Sequence, residues 1–70
     1  MLKLITYYSK IPIYINEEKI LTMFDCEDQE NPGKFKSHIF LEGGSCEQVQ
    51  QNADTVYKMI LRKNAGKANT

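Results

Sequence analysis

The sequence predicts a small α+β fold: an antiparallel β-meander of four to five strands, with one C-terminal α-helix packed on one face. Three observations predict it. Seventy residues, 41% of them hydrophobic, are enough for one domain with a thin core and too few for two. Up to Gln50, apolar residues recur with a period of two between turn signals. From Ala53 the period changes to about 3.6, the helical value. The domain is read as residues 1–63, and 64–70 as a flexible C-terminal tail.

Residues 2–8 are β-rich, with Leu2 and Leu4 on one face and Lys3, Ile5 and Tyr7 on the other. Ser9 and Lys10 make a short turn. In residues 11–15, Ile11, Ile13 and Ile15 alternate with Pro12 and Tyr14. Pro12 cannot donate to a ladder, so this strand is at an edge or has a break there. Residues 16–19 are a polar connection, one helical turn capped by Asn16. A third strand at 20–25 sets Ile20, Thr22 and Phe24 opposite Leu21 and Met23. Residues 26–36 contain Asn31-Pro32-Gly33, the strongest breaker in the chain, and predict a long, mobile connection. Strand four, 37–42, sets Ile39 and Leu41 opposite His38 and Phe40. Gly43-Gly44 supplies the positive φ of a tight turn into a short fifth strand, 45–50. Asn52 caps a helix whose apolar stripe is Ala53, Val56, Tyr57, Ile60 and Leu61, and Gly66 closes it.

Five strands about 4.8 Å apart make a sheet about 19 Å wide, whereas a helix is about 10–12 Å wide. One helix therefore covers about half of one face. Ile11, Ile13, Ile15, Ile20, Ile39, Leu41 and Val49 are assigned to that face. The other face keeps Ile5, Tyr7, Tyr14, Leu21 or Met23, His38 and Phe40, and a shared apolar, aromatic surface marks an interaction site. From this set Tyr7, Tyr14, Met23, His38 and Phe40 are the candidate contact residues. A symmetric homodimer is the simplest partner.

No catalytic constellation is visible. His38 is the one histidine, and no CxxC or HxxxH spacing accompanies it. Cys26 and Cys46 are too few for a disulfide scaffold or a zinc site, so they are read as reduced thiols, with pairing left open. No cofactor or metal is expected. Gly43-Gly44 is followed by Ser-Cys-Glu-Gln rather than by a helix, so it lacks the amide-lined terminus of a phosphate loop. The apolar runs fall short of the ~20 residues of a membrane helix, and no secretory signal is visible. Together with the thiols this predicts a cytoplasmic protein.

Nine basic and nine acidic residues cancel, yet the charge is dipolar. Six acids and one lysine over 17–30 give about −5, and four bases against Asp54 in the helix and tail give about +3. Glu27, Asp28 and Glu30 make the acidic loop a secondary contact candidate. Nucleic acid is the alternative partner: Tyr7, Tyr14 and Phe40 could stack bases beside Lys3, Lys10, Lys34 and Lys36. Zero net charge opposes it, because polyanion affinity rests on counterion release.

The order of motifs carries a resemblance. An N-terminal Met-Leu-Lys-Leu is followed by Ile-Tyr-Ile-Asn at 13–16, Ile20, Leu-Glu-Gly-Gly at 41–44, Val49, a polar cap at Asn52 and Val56. This resembles the small flagellar FlbD/swarming-motility family and similar phage and prophage proteins, over most of residues 1–62. The chain departs from that pattern at Ser9-Lys10, at the longer 26–36 connection and at Gln50-Gln51-Asn52, which bears on a motility role more than on the fold. The resemblance implies a non-enzymatic accessory protein of bacterial or phage type that acts by binding a protein.

Overall fold

Leu2 and Leu4 point the same way from the first strand, and burying them together fixes the first hairpin. A computed structural model describes residues 1–68. Strand β1 (Leu2–Ile5) pairs antiparallel with β2 (Pro12–Ile15), setting Leu2 opposite Ile15 and Leu4 opposite Ile13 on the inner face. The turn is longer than Ser9-Lys10. Thr6 N–H donates to Ile11 O at 2.9 Å, Lys10 N–H donates to Thr6 O at 3.2 Å, and Lys10 takes a left-handed φ of 60°. Ile11 thereby falls outside the strand and is exposed, not on the covered face. β2 pairs only with β1, so Pro12 begins an edge strand as its missing donor requires.

Asn16 Oδ1 accepts from Glu18 N–H at 3.1 Å and opens a short 3-10 helix, Glu17–Lys19. The chain then runs through β3 (Ile20–Glu27), β4 (Phe35–Leu41) and β5 (Cys46–Val49), a three-stranded antiparallel sheet in the order β3-β4-β5. Gly43 and Gly44, at φ 91° and 90°, make the β4–β5 turn, which Leu41 N–H closes onto Ser45 O at 2.9 Å. Asn52 caps α1 (Ala53–Ala68), its Oδ1 accepting from Thr55 N–H at 2.7 Å. The helix runs through Gly66, where the sequence predicts its close; 69–70 of the expected tail lie outside the described residues. Among the described residues no helix is long and apolar enough to cross a membrane.

The α+β class and the single C-terminal helix match the expectation, but the strands form two sheets rather than one meander. Chain order and space order differ. The end of β1 meets β5, not β3: Thr6 bridges Val49, Tyr7 N–H donates to Gln48 O at 2.8 Å, and Gln50 N–H donates to Ile5 O at 2.8 Å. The two sheets and the helix share one core of Leu2, Leu4, Ile15, Ile39, Val49 and Val56, with Ile13, Ile20, Met23, Leu41, Met59 and Ile60 packed against it. Asp25 joins helix to sheet, its Oδ1 accepting from Ser37 Oγ at 2.6 Å and from the helical Ala53 N–H at 2.9 Å. At the other end of α1, Lys63 donates to Met1 O at 2.9 Å and lies 3.4 Å from Glu17. Glu17 thus joins the acidic segment to a helix cation of its own chain, whereas Lys19–Glu42 and Lys58–Asp54 are exposed pairs that do not span that division.

Candidate functional site

A register irregularity between Ile20 and Thr22 decides what the three-stranded sheet shows to solvent. Leu21 is the extra residue of a bulge and is 65% exposed. Ile20 and Met23 therefore both face the core, while Thr22, Phe24 and Cys26 face outward. Across β4, Phe24 pairs with His38, Thr22 with Phe40 and Cys26 with Lys36; across β5, His38 pairs with Gln48 and Phe40 with Cys46. The helix packs on the opposite face, where Val56 joins Ile39 and Val49 in the core.

The outward rings stack. Phe24 and His38 lie 5.1 Å apart and 2° from parallel, Phe24 and Phe40 5.7 Å apart, and His38 and Phe40 6.4 Å apart. Offset-stacked pairs at such separations are worth about 0.5–1.5 kcal/mol beyond area burial. The cluster still leaves Phe24 44% and Phe40 38% exposed. His38 Nε2 and Gln48 Oε1, on cross-strand neighbours, are buried with no hydrogen-bond partner among the described residues.

Beside the cluster a groove of about 320 Å³ is lined by Tyr8, Cys26, Glu27, Asp28, Glu30, Lys36 and His38, among others. Its floor is organised by Asp28, which is 1% exposed. Asp28 accepts from Tyr7 Oη at 2.8 Å, Asn31 Nδ2 at 2.9 Å and Glu30 N–H at 3.0 Å. Asn31 and Tyr7 are the main donors that hold its carboxyl below the usual range. The same bond, seen from Tyr7, pushes the phenol up to about 12. Lys36 donates to Tyr8 Oη, which raises its own pKa, and its ammonium sits 4.6 Å from the Tyr8 ring and 5.8 Å from that of Tyr7.

Of the candidate contact residues, His38 and Phe40 come together as expected. Met23 does not join them: the bulge turns it into the core. Tyr14 is 64% exposed but belongs to the outer side of the β1–β2 sheet, a different surface. Tyr7 is half-buried and held by Asp28. In the acidic loop Glu30 is exposed, Glu27 accepts from Gly33 N–H at 2.9 Å, and Asp28 is a buried structural anchor rather than a contact group. The loop itself shrinks to 28–34 and is laced by Asp28 N–H to Lys34 O at 2.8 Å. Phe24 is the residue that sequence reasoning missed. The adjacent apolar pair Ile20-Leu21, which breaks the alternation, is the signal that could have found it.

Cys26 and Cys46 are both free, and they point outward at opposite ends of the face. Among the described residues no group of three or more His, Cys, Asp or Glu side chains could hold a metal ion. Compared with protein-family models, curated proteins and solved structures, the chain finds no match.

Proposed function

We propose that this is a non-enzymatic, cytoplasmic interaction protein that binds a protein partner through the outer face of its three-stranded sheet. One observation carries the reading: Phe24, His38 and Phe40 stack on a face that the helix leaves uncovered, at the cost of keeping large apolar rings in water. Aromatic side chains at the centre of a patch with a polar rim are what protein interfaces favour. The unpartnered buried atoms of His38 and Gln48 fall on the same patch, where a change of rotamer on binding would give them partners.

The rim argues for protein over nucleic acid. Lys36 lines the groove beside His38, and Glu27 and Glu30 line the same groove. Carboxylates beside the stacking platform oppose a phosphate backbone. The resemblance to small flagellar and phage accessory proteins supports the same class of role.

The test compares proteins retained from the native host by the tagged parent, Phe40→Asp and Tyr14→Asp. A partner kept by the parent and by Tyr14→Asp, but lost with Phe40→Asp, supports the face. A partner kept by all three refutes it. Nucleic acid retained at moderate salt, and lost with Phe40→Asp, would replace the protein reading.

A further inference from the structure

We infer that two copies of the chain pair edge to edge through β3, antiparallel about a two-fold axis at Phe24, to make one continuous six-stranded sheet. The inference does not depend on the face reading, because edge pairing leaves both outer faces open and side by side.

In an antiparallel pair, residues alternately exchange hydrogen bonds with the neighbour and turn their main-chain groups away from it. Asp28 N–H donates to Lys34 O in the β3–β4 register, so Cys26/Lys36, Phe24/His38 and Thr22/Phe40 are bonded pairs. The far side of β4 agrees: Leu41 N–H donates to Ser45 O, which turns 37, 39 and 41 toward β5 and 36, 38 and 40 toward β3. Met23, Asp25 and Glu27 therefore turn their N–H and C=O groups to the open side of β3. There only the Glu27 carbonyl has a partner among the described residues, the Cys26 thiol at 3.6 Å.

Open edges are usually guarded by shortness, proline, bulges or charge. β2 is four residues long and begins with Pro12. β3 is eight residues long, has no proline, and runs without irregularity from Thr22 to Glu27. Its two acids are turned back onto their own chain. Asp25 is bound by Ser37 and by the first N–H of the helix, and Glu27 by Gly33 N–H. The Leu21 bulge and these two carboxylates guard the edge only in part, and the main-chain groups of Met23, Asp25 and Glu27 stay open.

The sequence of β3 also selects a register for a second copy. Centring the axis on Asp25 opposes two aspartates, and centring it on Cys26 opposes Asp25 to the partner's Glu27. Centring it on Met23 sets Asp25 against the partner's Leu21 bulge and leaves one bonded pair at the axis, whereas centring it on Phe24 meets the bulge only at the outermost pair, Glu27 with the partner's Leu21. Centring it on Phe24 opposes Met23 to the partner's Asp25, so each of the two symmetry-related pairs exchanges two main-chain bonds. It also sets Phe24 against the partner's Phe24 in the closer, non-bonded position, and Thr22 against the partner's Cys26. The two stacked clusters then meet at the axis.

That register predicts a covalent trap. Non-bonded antiparallel pairs have Cα atoms about 4.5 Å apart, within the range a disulfide spans. Thr22→Cys, oxidised at concentrations where the parent sediments as a dimer, should give a covalent dimer through the new thiol and the partner's Cys26; Thr22→Cys/Cys26→Ser should give none. Phe24→Glu opposes two carboxylates and should weaken the dimer by about tenfold or more, whereas Phe40→Glu, away from the edge, should leave it intact. Circular dichroism confirms that each variant folds. A parent monomeric up to about 1 mM, a Thr22→Cys dimer that survives Cys26→Ser, or a Phe40→Glu variant that dissociates like Phe24→Glu would each overturn the edge pairing. Loss of the partner protein in Phe40→Asp with the dimer intact would bear on the face alone.

Discussion

Among the described residues Val56 is the one fully buried side chain that the helix contributes to the core, and Val56→Ala tests whether it is the tie between helix and sheets. Truncation removes two methyl groups from a site that is 0% exposed. At about 0.8 kcal/mol per buried group the transfer loss is about 1.6 kcal/mol, and incomplete collapse of the cavity adds roughly 0.5–1 kcal/mol. Alanine's better helix propensity returns about 0.5 kcal/mol. The net loss is about 2 kcal/mol, against a total stability of roughly 3.5–10 kcal/mol for a chain of this length. In a domain this small that lowers Tm by about 8–15 °C, read from the helical circular dichroism signal. Tyr57→Ala, one position on and 54% exposed, is the control and should shift Tm by less than half as much. Equal losses from the two substitutions, or a Val56→Ala loss under about 0.5 kcal/mol, would refute the idea that this contact holds the helix to the sheets.

Two further predictions concern pH. Glu17 is held down to about 2 from 4.5 by its own backbone N–H, with Lys63 and the terminal amine adding to it. Because the folded value is depressed, the stability this group adds is complete above about 4.5 and is lost as pH falls toward 2. Glu17→Gln should flatten urea-melt stability across that window; an acid limb as steep as the parent's would contradict the assignment. Tyr7 is shifted the other way, up to about 12 from 10.0 by its hydrogen bond to Asp28, so its contribution is present below pH 10 and lost as pH rises toward 12. Tyr7→Phe should lower stability at neutral pH and remove that part of the alkaline loss. Tyrosinate absorbance of the parent showing every phenol ionised near pH 10 would count against the Tyr7–Asp28 bond.

What the sequence made legible is local. Asn16 and Asn52 cap where a short polar acceptor before a helical pattern should, Gly43-Gly44 turns with positive φ, and Pro12 marks an edge. What it hid are outcomes of pairing between distant segments. Alternation is read as if each strand kept one phase, and a single extra residue at Leu21 reverses the phase of everything after it. That reversal sends Met23 inward and brings Phe24 beside His38. Asp28 shows a similar limit: its bond to Glu30 N–H two residues on is a familiar Asx turn, whereas its bond to Tyr7 spans 21 positions and comes only from folding. Tyr14 lies on the predicted side of its strand, but that strand belongs to the other sheet.

The division into two sheets changes why aromatic surface is left over. A single five-stranded sheet under one helix would leave apolar area exposed for want of cover, and the exposed rings would follow from a narrow lid. Three strands are only about 9.6 Å across between outer axes, within the width of one helix. In addition, the β1–β2 hairpin supplies Leu2, Leu4 and Ile15 to the same core. The centre of the inner face is therefore covered: Ile39 and Val49 are 0% exposed. Phe24, His38 and Phe40 are not the overflow of a core that ran out of lid, because they alternate with core residues and point away from them. Polar residues at those three positions would forgo stacking worth about 0.5–1.5 kcal/mol a pair but would keep the face wet. Three stacked rings there, next to the longest open edge in the molecule, put the surplus apolar surface where two different contacts can use it.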